Sequence, residues 1–204
     1  MKFLSPAKLN LNLRVISKRN DGYHNLETTF QLIDLFDEMT FEESDRSIGI
    51  SCDGLEIEPE NNLIFKSLNA IKNYCEIDKG VQIHLKKIIP VGAGLGGGSS
   101  NAATTLIALN KIWGLNLSRE ELVRIGKPLG ADIPIFIYGK NAIATGIGDV
   151  FLDVELRKDK FLLICPNIEV STGEMFRKLK IDKLSPKHQN SFLDTLLREN
   201  KSIE

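Results

Sequence analysis

A cluster of glycines directly before a predicted helix constrains this chain more than any other feature of its sequence. Five of the 16 glycines fall within residues 92–98, and serines occupy positions 99 and 100, where the helical pattern begins. Glycine lets the backbone adopt positive φ and lets a ligand approach the main chain, and a helix N-terminus offers unbonded N–H groups. The segment therefore predicts an anion cradle suited to phosphate. The plainer alternative is a flexible turn between a strand and a helix.

Three well-known phosphate loops do not fit this segment. A Walker A loop has lysine where this chain has Gly98, and a Rossmann loop needs an acidic residue at a strand end about 20 positions later. Glu120 and Glu121 instead begin a predicted helix, and the H-R-D and D-F-G motifs of protein kinases are absent from the sequence. The candidate phosphate-binding residues are Pro90, Val91, Gly92, Ala93, Gly94, Leu95, Gly96, Gly97, Gly98, Ser99 and Ser100.

Charge and composition exclude several classes of protein. The 26 Lys and Arg against 27 Asp and Glu give a net charge of −1, which argues against a general nucleic-acid surface. No apolar run approaches the length of about 20 residues that spans a bilayer, and no signal peptide is visible, so we expect a cytoplasmic protein. The odd number of cysteines and their wide spacing predict neither disulfides nor a zinc site. We interpret Cys52, Cys75 and Cys165 as buried thiols.

Hydrophobic spacing predicts a mixture of strands and helices. Residues 7–15 alternate, which predicts a strand with apolar odd positions and with Lys8 and Asn10 on the other face, about 7 Å apart. Strands and helices without regular alternation favour an α+β fold. Further strands are predicted at residues 26–35, 39–41, 81–85, 141–147 and 161–164. Helices are predicted after Asn61-Asn62, from Ser99 to Trp113 with Gly114 as its C-terminal cap, after the capping box at Ser118, and at 174–179.

Four motifs, in order, resemble those of the GHMP kinases, the superfamily of galactokinase, homoserine kinase, mevalonate kinase and phosphomevalonate kinase. Residues 5–11, Ser-Pro-Ala-Lys-Leu-Asn-Leu, resemble the first motif, and residues 90–103 the second. The triple glycine at residues 96–98 and the elements at residues 22–24 and 130–134 are together most similar to the branch acting on a cytidine diphosphate conjugate of methylerythritol in non-mevalonate isoprenoid synthesis. The resemblance implies a two-domain GHMP-kinase fold and phosphorylation of the 2-hydroxyl of that conjugate.

The resemblance implies catalytic roles for Asp132 and Lys8. The sequence pattern alone leaves the roles of both residues open. Asp132 would take or orient the proton of the acceptor hydroxyl, whereas from the residues alone it is also a helix cap or a turn residue. Lys8 would lie beside Asp132 and neutralise the transferred phosphoryl group. The pattern alone favours a solvated lysine on an edge strand at this position.

The same resemblance implies substrate-binding roles for Asn10, Tyr23, His24, Thr172 and Phe176. Tyr23 would stack on the cytosine ring and His24 would meet its polar edge. Both follow a turn, and we expect both to be exposed, although a packed tyrosine and a surface histidine without function are the alternative. ATP with Mg²⁺ held mainly by phosphates and water, and a small cytidine diphosphate substrate, are the implied ligands. We expect no nucleic-acid or membrane partner and a monomer or weak homodimer.

The resemblance also predicts how the chain divides into domains. Residues 1–155 are expected to form the N-terminal ATP-binding domain, and residues 156–204 part of the C-terminal domain. The family carries a third glycine-rich motif near its C-terminus, and none is visible here, so we expect an incomplete C-terminal domain with exposed apolar residues at 161–164. Two alternatives stay open: a kinase of the mevalonate or homoserine type, and a truncated nucleotide-binding protein without catalysis.

Overall fold

The computed structural model describes residues 1–53 and 62–166, which contain both strands and helices. This mixture confirms the predicted α+β class. No helix in these two ranges is long and apolar enough to cross a bilayer. In chain order the elements are β1 (Lys2–Lys18), β2 (His24–Ser44), β3 (Ile48–Cys52), α1 (Leu63–Cys75), β4 (Gly80–Lys86), α2 (Gly97–Ile112), α3 (Arg119–Gly126), α4 (Ile133–Tyr138), β5 (Ala142–Thr145) and β6 (Val150–Asp153).

The first of two compact units comprises Met1–Lys8 and Leu32–Lys140. Within it, β4 pairs in parallel with β3 and antiparallel with the C-terminal part of β2, where Phe41 lies opposite Ile83. Helix α2 packs against α1, α3 and α4. The core combines the alternate residues of β4 with the apolar stripes of the helices, as the spacing predicts: Val81, Ile83, Leu85, Ile64, Leu68, Ile71, Ala102, Ala103, Leu106 and Leu109 are buried.

The second unit comprises Leu9–Gln31 and the described residues from Asn141 onward. The N-terminal part of β2 pairs antiparallel with β5, where Thr29 lies opposite Ile143, and β5 pairs antiparallel with β6. Strand β1 pairs with β2. Most of the predicted C-terminal domain, residues 156–204, lies outside the described part of the chain, so the boundary at residue 155 stays a prediction.

Local capping signals in the sequence were reliable. Asn62 is the N-cap of α1 and accepts the N–H of Ile64 at 2.9 Å, and Gly114 follows α2 with φ 64°. Ser118 and Glu121 form the predicted capping box at the start of α3. Each of these short-range patterns fixes its own hydrogen bonds, and therefore needs little help from distant parts of the chain.

Several predicted boundaries are wrong. The strands predicted at residues 26–35 and 39–41 are one continuous strand, β2, because Asp37 between them is buried and accepts backbone N–H groups from outside the strand. Helix α2 begins at Gly97, two residues before the predicted start. Strands β3 and β6 and helix α4 were not predicted. Residues 161–164 form no strand, but Phe161, Leu162 and Ile164 are exposed as expected.

Two burial predictions also fail. Cys52 and Cys75 are partly exposed and Cys165 is exposed, although partial burial still raises the pKa of the Cys52 and Cys75 thiols. In β1, Leu11 and Leu13 on the predicted core face are exposed. Period two therefore describes the strand geometry of β1 but not which of its faces is buried.

Candidate functional site

The glycine segment forms a loop that ends at the N-terminus of α2. Gly92, Gly94 and Gly96 have φ angles of 72°, 73° and 73°, a region that other residues enter only with strain. Gly96 is the N-cap of α2 and provides no side-chain oxygen to the N–H groups of the first turn. The start of α2 therefore presents backbone donors and the positive end of the helix dipole to any ligand there.

The loop is tightly packed on one side and open on the other. A Cβ atom on Gly96 would lie 2.8 Å from the Phe136 ring and 3.1 Å from Cε of Lys8, and one on Gly97 would lie 2.8 Å from Nζ of Lys87. A Cβ on Gly94 would meet nothing within 4 Å. Main chain that is fixed behind and open in front suits close approach by a phosphate group.

Lys8 brings its ammonium group to this loop. Its Nζ lies 3.0 Å from the carbonyl oxygen of Gly94 and 3.3 Å from Oδ2 of Asp132, and its backbone N–H donates to Leu95 O at 3.0 Å. The Lys8 side chain is 6% exposed. The solvated edge-strand interpretation of Lys8 is therefore wrong, and two residues 124 positions apart in the sequence meet beside the glycine loop.

Asp132 is held by a short apolar helix rather than by its own hydrogen bonds to the backbone. It occupies the N-cap position of α4 with φ −89° and ψ −7°, yet its side chain makes no capping hydrogen bond. Proline at position 134 and the buried Ile133 and Ile135 fix the first turn. The carboxylate, which is 37% exposed, faces Lys8 while remaining accessible to a ligand.

The two serines at the start of α2 have different surroundings. Ser100 is buried, and its Oγ accepts the hydroxyl of Ser5 at 2.8 Å. Ser99 is half-buried, and a Cβ on Gly130 would lie 3.6 Å from its Oγ. Ser99 is therefore the hydroxyl of the pair that lies toward the segment carrying Asp132.

Sequence reasoning missed a buried carboxylate beneath the loop. Asp37 is fully buried and accepts Nζ of Lys87 at 2.6 Å, the N–H groups of Ile88 and Ile89 at 2.7 and 2.8 Å, and the amide of Asn101 at 2.9 Å. Four donors to one carboxylate compensate its loss of hydration. The available signal is Asp37 itself, an acidic residue in the gap between the strands predicted at residues 26–35 and 39–41.

In the second unit, Tyr23 is exposed as predicted. The residue is 59% exposed, and its N–H donates to Oδ1 of Asp21 at 3.1 Å across a turn in which Gly22 has φ 86°. Arg19 donates to the same carboxylate, which lowers the pKa of Asp21 and raises that of Arg19. The turn that presents the aromatic ring is therefore fixed by an ion pair and a backbone hydrogen bond.

The other predicted substrate residues are less uniform. His24 is buried, so its expected exposure is wrong: it is the first residue of β2, and most of the residues that follow it as far as Gln31 are buried too. Asn10 is half-buried, and its amide donates to Oγ1 of Thr28 at 2.8 Å. Thr172 and Phe176 lie outside the described residues, as does the helix predicted at 174–179.

Comparison with known proteins tests the resemblance to the GHMP kinases. Residues 62–140 match the model of the GHMP kinases N terminal domain. A relative from Polynucleobacter necessarius subsp. necessarius, named 4-diphosphocytidyl-2-C-methyl-D-erythritol kinase, is 45% identical over 85% of this chain and 59% of its own length. A relative of the same name from Methylococcus capsulatus is 40% identical over 97% of this chain and 72% of its own length.

A solved structure gives the corresponding comparison of folds. The crystal structure of a 4-(cytidine 5'-diphospho)-2C-methyl-D-erythritol kinase superposes with a TM-score of 0.75 and 31% identity, covering 91% of this chain and 67% of that one. The chain spans about three fifths of the length of the Polynucleobacter relative. The match to the Methylococcus relative extends over nearly the whole of this chain and most of that protein. The chain therefore belongs to the GHMP kinase family.

Proposed function

We propose that this chain carries the catalytic centre of an ATP-dependent kinase that phosphorylates the 2-hydroxyl of 4-diphosphocytidyl-2-C-methyl-D-erythritol. The observation that carries the proposal is the Lys8–Asp132 pair at 3.3 Å, beside a glycine loop that opens at Gly94 and leads into α2. The name shared by the relatives supports this choice of substrate.

The chain's own groups suggest a division of labour in phosphoryl transfer. The N–H groups at the start of α2 would hold the phosphates of ATP, and Lys8 would neutralise charge on the phosphoryl group. Asp132 would accept the proton as the hydroxyl oxygen bonds to the γ-phosphorus, and the bond from that phosphorus to the oxygen bridging to the β-phosphate would break, releasing ADP.

Ser99 beside the loop fits a magnesium ion that arrives with the nucleotide. Ser99 is half-buried near Gly130, and its hydroxyl is an oxygen donor of the kind that Mg²⁺ prefers. Phosphate oxygens and water would supply most of the ligands, and the Ser99 hydroxyl would help to hold the ion. When bound, Mg²⁺ would neutralise part of the charge of the β- and γ-phosphates.

Transfer of label from γ-labelled ATP to the cytidine diphosphate substrate tests the proposal. We expect the folded chain to transfer label, with a complete relative as the positive control. A folded chain that binds ATP but transfers no label to this substrate or to another alcohol would overturn the kinase assignment. That result would favour the non-catalytic nucleotide-binding alternative.

A kinase for a mevalonate- or homoserine-type alcohol is the second candidate, and Tyr23 distinguishes it. Because this ring is exposed on a fixed turn, we expect Tyr23→Ala to weaken binding of the cytidine diphosphate substrate while leaving ATP affinity unchanged. Tyr74→Ala is the matched control, since Tyr74 is an exposed tyrosine on α1. Equal substrate affinity in both variants would favour the second candidate.

The proposal includes a cytoplasmic location, because ATP is available there, and a monomer or weak homodimer. Sedimentation at several protein concentrations tests the assembly state. A stable dimer or a larger species at the lowest concentration would contradict it.

A further inference from the structure

A chain of buried polar side chains lies behind the glycine loop, in the first unit. The Nδ2 atom of Asn101 donates to Oδ2 of Asp37 at 2.9 Å and to Oγ of Ser5 at 3.0 Å. Ser5 in turn donates to Oγ of Ser100 at 2.8 Å. Ser5, Asp37 and Ser100 are fully buried, and Asn101 is 3% exposed. The four side chains therefore form a directed series of hydrogen bonds without access to bulk water.

This series connects β1 to the first turn of α2 at a second point besides Lys8. Lys8 contacts the loop before the helix, through Leu95 O and Gly94 O, while Ser5, three residues earlier on β1, contacts Ser100 within the helix. Asp37 fixes which way the Asn101 amide points, because a carboxylate accepts only the NH₂ side of the amide. With both ends fixed, a shift of β1 along α2 breaks hydrogen bonds that have no water to replace them.

Stability alone does not explain this choice of side chains. A well-packed apolar cluster of similar volume would hold a strand against a helix at least as firmly as buried polar groups do. Directional hydrogen bonds differ from apolar contacts because they specify one register. The register in question sets where the Lys8 ammonium lies relative to the first-turn N–H groups of α2.

We propose that Asp37, Asn101 and Ser5 act as positioning residues, which hold the first turn of α2 and the Lys8 ammonium in the register needed for phosphoryl transfer. This inference rests on the proposed kinase function. None of the three residues is assigned contact with substrate; they act through Ser100 and Lys8.

Single and double substitutions test the positioning role. We expect Asn101→Ala and Ser5→Ala each to lower kcat by about tenfold to a hundredfold, as misplacement of reacting groups does, with KM for the alcohol within about twofold. The double variant should match Asn101→Ala alone, because both substitutions break one series. Thr105→Val is the matched control: it removes a buried hydrogen bond one turn further along α2, from Oγ1 to Asn101 O, and should leave kcat unchanged.

ATP affinity, measured by calorimetry, tests the positioning role even in a chain that transfers no phosphate. Because the first turn of α2 is expected to hold the phosphates, Asn101→Ala and Ser5→Ala should raise the ATP Kd about fivefold or more, and Thr105→Val should not. A wild-type chain that binds ATP without transferring phosphate defeats the proposed function, and the Kd values then decide the inference. Folded variants that keep both kcat and ATP Kd, or a double variant whose losses multiply, would overturn it.

Discussion

The ammonium of Lys8 and the carboxylate of Asp132 lie 3.3 Å apart, but the two side chains differ sharply in exposure, 6% against 37%. A buried cation depends on its partners for the solvation that water no longer provides, whereas a carboxylate that is one-third exposed keeps contact with water. Solvation by water therefore differs between the two charges of the ion pair. Removing the anion and removing the cation should change the free energy of unfolding by different amounts.

We expect Asp132→Asn to reduce the free energy of unfolding by about 1–3 kcal/mol, because it removes the carboxylate charge that lies 3.3 Å from the buried Lys8 ammonium. Lys8→Met should cost less than about 1 kcal/mol, since water can solvate the remaining carboxylate. Urea unfolding of both variants measures the difference. A larger loss for Lys8→Met would show that the burial of the two groups does not govern the energetics of the pair.

The same Asp132→Asn variant should lose activity by about 10²–10⁴-fold in kcat, the usual contribution of a general base. Its affinity for ATP should change little, because the loop N–H groups and Lys8 remain. Asp45→Asn, which alters an exposed aspartate in a bend of the same unit, provides a matched control and should behave as wild type. Near-normal kcat in Asp132→Asn would exclude Asp132 from proton transfer.

A glycine-to-alanine series along the loop separates packing from backbone strain. Gly96→Ala should destabilise the chain most, by about 2–4 kcal/mol, because strain at φ 73° adds to contact with Phe136 and Lys8. Gly94→Ala has only the strain, about 1–2 kcal/mol. Gly98 lies within α2, and in Gly98→Ala the new Cβ would make an ordinary 3.7 Å contact with Cδ1 of Leu63. Because alanine favours the helix more than glycine does, stability should rise by about 0.5 kcal/mol.

Denaturant unfolding of the three variants gives the order directly. ATP affinity is a second measurement on the same variants. A methyl group at Gly94 would point into the open space in front of the loop. Gly94→Ala should therefore weaken ATP binding more than its small loss of stability suggests. Equal stability for Gly94→Ala and Gly96→Ala would contradict the difference in packing between the two positions.

The capping box of α3 should make part of the stability pH-dependent. The Ser118 N–H donates to Oε2 of Glu121 at 2.8 Å, and this contact holds the pKa of the Glu121 carboxyl below its usual value of 4.5. Folding then favours the ionised form, so the stabilisation is complete above the unfolded-state pKa and is lost as the pH falls through the folded-state pKa. The difference in unfolding free energy between wild type and Glu121→Gln should be constant from about pH 7 to pH 5 and shrink below.

Glu120→Gln is the control for this measurement, because Glu120 occupies the same first turn outside the capping box. Its difference from wild type should show a weaker dependence on pH. A Glu121→Gln difference that grows on acidification would mean that the carboxylate is not favoured by folding.

Local sequence patterns predicted what local hydrogen bonds decide. Asn62, Ser118 and Gly114 end or begin helices through contacts within a few residues, and all three were predicted. The conformation of the glycine loop belongs to the same category, because glycine permits the positive φ angles found at residues 92, 94 and 96. The pairing of Lys8 with Asp132 came from resemblance to a family, since nothing in the spacing of residues 124 positions apart implies contact.

The burial of several residues was not predicted, because it depends on partners that are distant in the sequence. Asp37 looks like a break between strands until Lys87 and the N–H groups of residues 88 and 89 surround it. His24 follows a polar turn, and only the packing around the first part of β2 makes it buried. In β1, the alternation of residue types correctly predicted a strand. It did not predict that Lys8 is buried while Leu11 is exposed, because the elements that pack against a strand determine which of its faces is buried.

Because the N-cap of α2 is a glycine, a phosphate group bound there would become part of the secondary structure. A serine or aspartate there would satisfy a first-turn amide permanently, as Ser118 does for α3. With Gly96 in that position, no side chain caps the amides at the start of α2, and a bound anion would serve as their partner. Hydrogen exchange at these amides should therefore slow when ATP binds, so that the nucleotide completes the helix on which its own phosphates rest.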